Sequence, residues 1–142
     1  MRKPRQIVAD HYAASDRHDL EAMFADVADD VQWTEMAGFP CAGTHVGPAQ
    51  VIEKVFKVLG TEWEGYRFVL ETLVDGGDTV VGIGDYHGTH RETGRTLHAR
   101  VAHVWQVQGG KVRRFEQFTD TLLVARAMRT GGALPSCSGA DA

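Results

Sequence analysis

The sequence predicts an α+β domain, with helices gathered in its first part and an antiparallel sheet in its second. Three observations carry this prediction. Apolar residues recur at helical spacing over residues 5–28 and again after Pro48. From Tyr66 to Thr119 the period falls to two, the signature of strands with one buried face. The turns between those strands are too short for the crossover that a parallel pair of neighbours needs, and helices do not alternate with strands.

The elements follow in order. Ile7, Val8, His11, Tyr12 and Ser15 share a helical face, predicting a helix over 5–18. Asp19 can cap a second short helix over 19–28, with Leu20, Met23, Phe24 and Val27 on one side. After Asp29 and Asp30 a short strand begins at Val31. It carries Val31, Trp33 and Glu35 on one face and Gln32, Thr34 and Met36 on the other. Residues 37–47, rich in Gly, Pro and Ala, read as a loop. Pro48 then opens an amphipathic helix through Ile52, Val55, Phe56 and Leu59, which Gly60 is expected to stop. Four strands follow: Tyr66 to Val74, Thr79 to Thr89, Thr96 to Gln108 and Lys111 to Thr119. Asp75-Gly76-Gly77-Asp78 and Gly109-Gly110 form the tight turns. A helix over 120–129 closes a single domain of residues 1–129, and 130–142 read as a loose tail.

The totals bound the function. A chain of 142 residues suits one domain with one core, and 43% hydrophobic against 24% charged residues is ordinary globular composition. A net charge of −4 argues against a nucleic-acid binder, which would carry a basic stripe. No apolar run approaches the ~20 residues needed to cross a bilayer. The basic start, Met1 to Arg5, leads into no apolar signal core, so a cytoplasmic location is expected. Cys41 and Cys137 fit neither a disulfide framework nor zinc spacing and read as free thiols.

The candidate chemistry lies on the inward faces. On the strand 96–108, Leu97, Ala99, Val101, His103, Trp105 and Val107 share one face, so His103 points inward with apolar neighbours. It is either a hydrogen-bonded core histidine or the lining of a ligand cavity; no second metal ligand sits at a recognisable spacing. Glu35 shares its face with Val31 and Trp33. Either it is a solvated residue at a strand end, or burial raises its pKa into the range of a general base or acid near neutral pH. On the last strand Phe115, Gln117 and Thr119 fit a partly polar cavity wall, and Asp120 fits a helix N-cap. Gly82, Gly84 and Gly88 lie in a strand with no helix after them, so they mark close approaches, not a phosphate loop. Tyr12 can be a core aromatic or a hydroxyl donor.

Taken together, these residues resemble a known family. The stretch from Ile7 to Pro48, with Tyr12, Asp19-Leu20-Glu21-Ala22-Met23, Ala28-Asp29-Asp30-Val31, Glu35 and Gly47-Pro48, resembles the ketosteroid-isomerase-like proteins. Thr93-Gly94-Arg95, His103-Val104-Trp105, Gly110-Lys111-Val112 and Phe118-Thr119-Asp120-Thr121 resemble the SnoaL-like branch of the nuclear-transport-factor-2-like (NTF2-like) superfamily. The resemblance covers about residues 6–128. It implies a cone of curved sheet around helices, a deep pocket for a small apolar, polyketide-like or steroid-like molecule, no cofactor, and a homodimer packed through the outer sheet face. A fold of this kind hosts several chemistries and non-catalytic binders as well.

Carried over by position, the proton-shuttling carboxylate of the isomerases falls on Glu35, and their helical tyrosine within one residue of Tyr12. Their second acid falls near Ala102 and His103, where there is no carboxylate. The histidine of SnoaL-like cyclases matches His103, whereas their aspartate falls on Gln117, which cannot take a proton. The Asp-Arg-Asp set of limonene-type epoxide hydrolases falls near Gly84, Tyr86 and Gln117. The expected catalytic pair is therefore Glu35 and His103, with Tyr12, Trp33, Phe56, Tyr86, Trp105, Phe115 and Gln117 around the bound molecule.

Overall fold

Pro4 opens the first helix, where its missing N–H costs nothing, and the helix α1 runs over Pro4–Asp16. The computed structural model describes residues 1–129; the predicted tail and Cys137 lie outside the described residues. After a turn with His18 at positive φ, Asp19 caps α2 (Leu20–Met23) by accepting the Ala22 amide. This helix is shorter than its apolar spacing suggests. Val27 pairs with Val112 and starts β1 (Val27–Glu35), and a register shift between Val27 and Gln32 absorbs Asp29 and Asp30.

The stretch read as a loop contains a short edge strand, β2 (Gly43–Val46), antiparallel to β1. A hydrogen bond of 2.8 Å between the Thr34 and Thr44 hydroxyls ties the two. Gly47 then holds φ +86 against the Asp29 carbonyl, and Pro48 begins α3 (Pro48–Val51). A π-helical turn, Ile52–Phe56, joins α3 to α4 (Lys57–Glu62). The helix passes through Gly60 instead of stopping there, because Gly60 keeps a negative φ and its missing side chain opens no break.

The remaining strands are β3 (Trp63–Gly76), β4 (Thr79–His90), β5 (Thr96–Gln108) and β6 (Lys111–Thr119), followed by α5 (Thr121–Met128), capped by Asp120. The six strands order as β2-β1-β6-β5-β4-β3. Every neighbouring pair is antiparallel except β1 and β6, which are parallel. The short turns exclude parallel pairing only between successive strands. Between β1 and β6 most of the chain serves as the crossover. Register shifts between Glu64 and Arg67 and between Leu70 and Thr72 bend β3, with Gly65 at φ +64 in the first. The sheet curves around α1 and the α3–α4 helix, and its concave face carries the core.

Alternation delivers the core as the strand faces require. Leu97, Ala99, Val101, Trp105 and Val107 are buried on β5, as are Val31 and Trp33 on β1. The predicted close approaches at glycine are real: a Cβ on Gly82 would overlap the Tyr12 hydroxyl, and one on Gly84 would overlap the Val69 carbonyl.

Candidate active site

Between the concave sheet and the helices lies a cavity of about 340 Å³. Its walls are aromatic. Trp33 stacks on Phe115 with ring centroids 3.9 Å apart, Phe56 stands edge-on to Trp33, and Trp105 stands edge-on to both Trp33 and Phe115. Asp16, His18, Leu20, Gly60 and Arg67, the exposed residues of the lining, form its rim.

His103 reaches this cavity from the middle of β5 and is bonded at both ring nitrogens. The Tyr12 hydroxyl lies 2.8 Å from Nδ1 and the Tyr86 hydroxyl 2.7 Å from Nε2. Behind Tyr12, the Trp105 indole N–H donates to the Tyr12 oxygen at 2.9 Å. Behind Tyr86, the Gln117 side-chain amide donates to the Tyr86 oxygen at 2.7 Å, while its own carbonyl faces the Met36 amide at 3.4 Å. Burial pushes the His103 pKa down to about 3, and the nearby His11 adds to this. His11 donates from Nδ1 to the Met23 carbonyl at 2.9 Å and falls to about 4 through burial. Both imidazoles are neutral at pH 7. Burial also raises the hydroxyls of Tyr12, Tyr66 and Tyr86 above the ordinary phenol value.

Glu35 lies at the end of β1 with 4% of its surface exposed, and its Oε2 has no hydrogen-bond partner. Burial raises its pKa to about 8. The Trp33 indole is the one group that pulls it back, and its N–H makes no hydrogen bond of ordinary geometry. The Tyr66 hydroxyl is likewise buried and unpartnered. Trp33 Nε1, Glu35 Oε2 and the Tyr66 hydroxyl are thus three buried polar atoms without a hydrogen bond of ordinary geometry, all on residues that line one cavity.

The sequence-derived residues sort cleanly. Tyr12, Trp33, Glu35, Phe56, Tyr86, His103, Trp105 and Phe115 line one cavity. Gln117 is fully buried behind Tyr86 and does not reach it. Tyr66, Phe68 and His11 line it as well, in addition to the residues that the sequence singles out. The alternation Tyr66, Phe68, Leu70 along β3 is the signal that points the first two inward. Among the described residues no three His, Cys, Asp or Glu side chains gather in a ligand set, and no helix is long and apolar enough to cross a membrane.

Comparison with known proteins agrees with this architecture. The profile of the SnoaL-like domain matches residues 8–115. The chain belongs to the SnoaL-like family. Among solved structures, an NTF2-like protein from Burkholderia thailandensis E264 is 62% identical, over 91% of this chain and 99% of that one, with a TM-score of 0.90. An NTF2-like protein from Burkholderia pseudomallei K96243 is 28% identical, over 90% and 98% of the two chains, with a TM-score of 0.82. TerC, co-crystallised with polyporic acid, is 26% identical over 87% and 97%, with a TM-score of 0.78. No curated protein matches the chain. Within this SnoaL-like chain, Glu35 and His103 face one space, the arrangement that chemistry on a single bound molecule requires.

Proposed function

We propose that this SnoaL-like protein binds a small, largely apolar carbonyl compound in the cavity and moves a proton on it, with Glu35 as the base. The observation that carries the reading is the Glu35 carboxyl, buried and unpartnered in the same cavity as His103 and its two tyrosines. A carboxylate with a pKa near 8 is a far better base than a solvated one, and it still ionises near neutral pH. Glu35 takes a proton from the carbon next to the carbonyl. The electron pair left behind moves onto the carbonyl oxygen, and a tyrosine hydroxyl held by His103 donates to that oxygen. Glu35 then returns the proton to carbon, completing an isomerisation or promoting a ring closure. Base and electrophile suffice for enolisation, so this reading calls for no cofactor.

A volume of about 340 Å³ with aromatic walls suits a compact, flat molecule. An aromatic or cyclic ketone with a hydrogen on the carbon next to its carbonyl fits, and the polyporic acid in the TerC crystal is consistent with an oxygenated, flat guest. The test is exchange of α-protons with solvent deuterium across a panel of cyclic and aromatic ketones, followed by NMR. The wild type should exchange at least one member, and Glu35→Gln should lose that exchange. A folded protein that exchanges none of them overturns the proposal.

A second reading, binding without turnover, draws on a specific feature. Where a second acid would stand, Gln117 is engaged with Tyr86 and Met36 and offers no proton. Native mass spectrometry of protein purified from its own host separates the two, since a non-catalytic binder retains an unaltered ligand. Both readings include a homodimer through the outer sheet face. There Arg100 bonds Glu71 at 2.6 Å and Asp85 at 3.2 Å, beside the exposed Phe118 and Val69.

A further inference from the structure

The hydrogen bonds around His103 can be followed proton by proton. Trp105 can only donate, so the Tyr12 oxygen accepts from it. The Gln117 carbonyl faces the Met36 amide, so its NH₂ is turned to Tyr86, whose oxygen accepts from it. Between the two tyrosines stands a neutral imidazole with one N–H and one bare nitrogen. The bare nitrogen needs a donor, and only the tyrosine facing it can serve. The N–H must donate to the other tyrosine, whose oxygen then accepts twice. That second tyrosine keeps a hydroxyl hydrogen which no atom of the network accepts.

Packing decides which tyrosine this is. The Tyr12 hydroxyl is closed in by His103, by Trp105 and by the Gly82 backbone, where even a Cβ would collide with it. Tyr86 stands on the side of the cavity where polar groups remain open: its ring lies 5.2 Å from that of Tyr66, whose hydroxyl neighbours its own and can take its hydrogen while the cavity is empty. We propose that His103 carries its proton on Nε2 and donates it to Tyr86, leaving the Tyr86 hydroxyl hydrogen free for an acceptor oxygen of the bound molecule. The donors then run in one direction, from Trp105 through Tyr12 and His103 to Tyr86, and each bond polarises the next. His103 is a positioning residue, and Tyr86 is the group that touches the substrate oxygen. The site therefore selects molecules that bring an acceptor, such as a carbonyl or its enolate, over guests whose polar group can only donate, such as an ammonium ion. This inference rests on the proton-transfer reading for the identity of the guest but not for the position of the proton.

Long-range ¹H–¹⁵N spectra of the uniformly labelled full-length protein read that position without any ligand. The expected His103 pattern is the neutral Nε2–H tautomer, unchanged from pH 5 to pH 9. The Nδ1–H tautomer would hand the free hydroxyl to Tyr12, and a doubly protonated ring would free both; either overturns the proposal. A second readout is the Glu35 carboxyl followed by ¹³C NMR. Tyr86, unlike Tyr12, is a hydroxyl whose titration feels the Glu35 charge, so Tyr86→Phe should shift the Glu35 pKa more than Tyr12→Phe does. Equal shifts in the two variants overturn the assignment. If Tyr86→Phe fails to fold, the wild-type nitrogen spectrum still decides. A correct tautomer with no exchanging ketone would refute the proposed reaction alone.

Discussion

Replacing Glu35 by Gln removes one titrating proton from the core while keeping the size of the side chain. In the folded protein burial holds the Glu35 pKa at about 8, against 4.5 for an unhindered carboxyl. Between those values the folded state keeps a proton that the unfolded state has lost, so raising the pH favours unfolding. The slope is at most about 1.4 kcal/mol per pH unit, and over the whole interval the wild type loses up to about 5 kcal/mol. That is a large share of the roughly 5–15 kcal/mol that holds a small domain together. The loss begins as pH rises through about 4.5 and is complete above about 8. The assay is urea unfolding of wild type and Glu35→Gln side by side from pH 4 to pH 9. The stability difference between them should be flat below 4.5, shift steadily in favour of the glutamine variant up to pH 8, and level off above it. Taking the difference cancels every other titrating group. Two curves that stay parallel across this range would show that Glu35 is solvated or paired, and would refute the burial argument on which its role as base depends.

Other outcomes follow from the same network. His11 and His103 are held neutral, at about 4 and 3 against 6.5 in the unfolded chain. Stability should therefore fall as pH drops below 6.5, a limb that persists in Glu35→Gln and shortens in His103→Gln. His103→Ala should destabilise by roughly 2–5 kcal/mol by chemical denaturation, since it leaves a gap and removes one hydrogen bond from each of two buried hydroxyls; His103→Gln, which keeps a donor and an acceptor, should recover most of this. Gly82→Ala should lower stability by about 1–3 kcal/mol, because its Cβ meets the Tyr12 hydroxyl, and Tyr12→Phe in the same chain should relieve part of the loss. Sedimentation at micromolar concentration should give a dimer, and Arg100→Glu should weaken it by placing a third acid beside Glu71 and Asp85; a wild-type monomer would remove the dimer proposal.

The sequence by itself determined the inward faces of the strands, the helix caps at Asp19 and Asp120, and the hairpin at Gly109 and Gly110. These depend on neighbours within a few positions, where period, cap chemistry and turn chemistry act directly. It also turned His103 to the interior, since it shares a strand face with large apolar side chains, but left Glu35 open between a solvated strand end and a buried group. Only the tertiary structure decided what meets them there. Tyr12 and His103 are 91 positions apart in sequence, Trp105 and Tyr12 are 93 apart, and no local period reports such pairs. The parallel pairing of β1 with β6 is equally remote, and it sets Trp33 opposite Phe115 in the cavity wall. Gln117 shows the limit most plainly. Alternation turns it inward beside Phe115, but the neighbouring Tyr86 stands between it and the cavity, so it supports the hydroxyl without reaching a guest. Facing inward is a local property of the backbone, whereas lining a cavity depends on which distant side chains fill the remaining space.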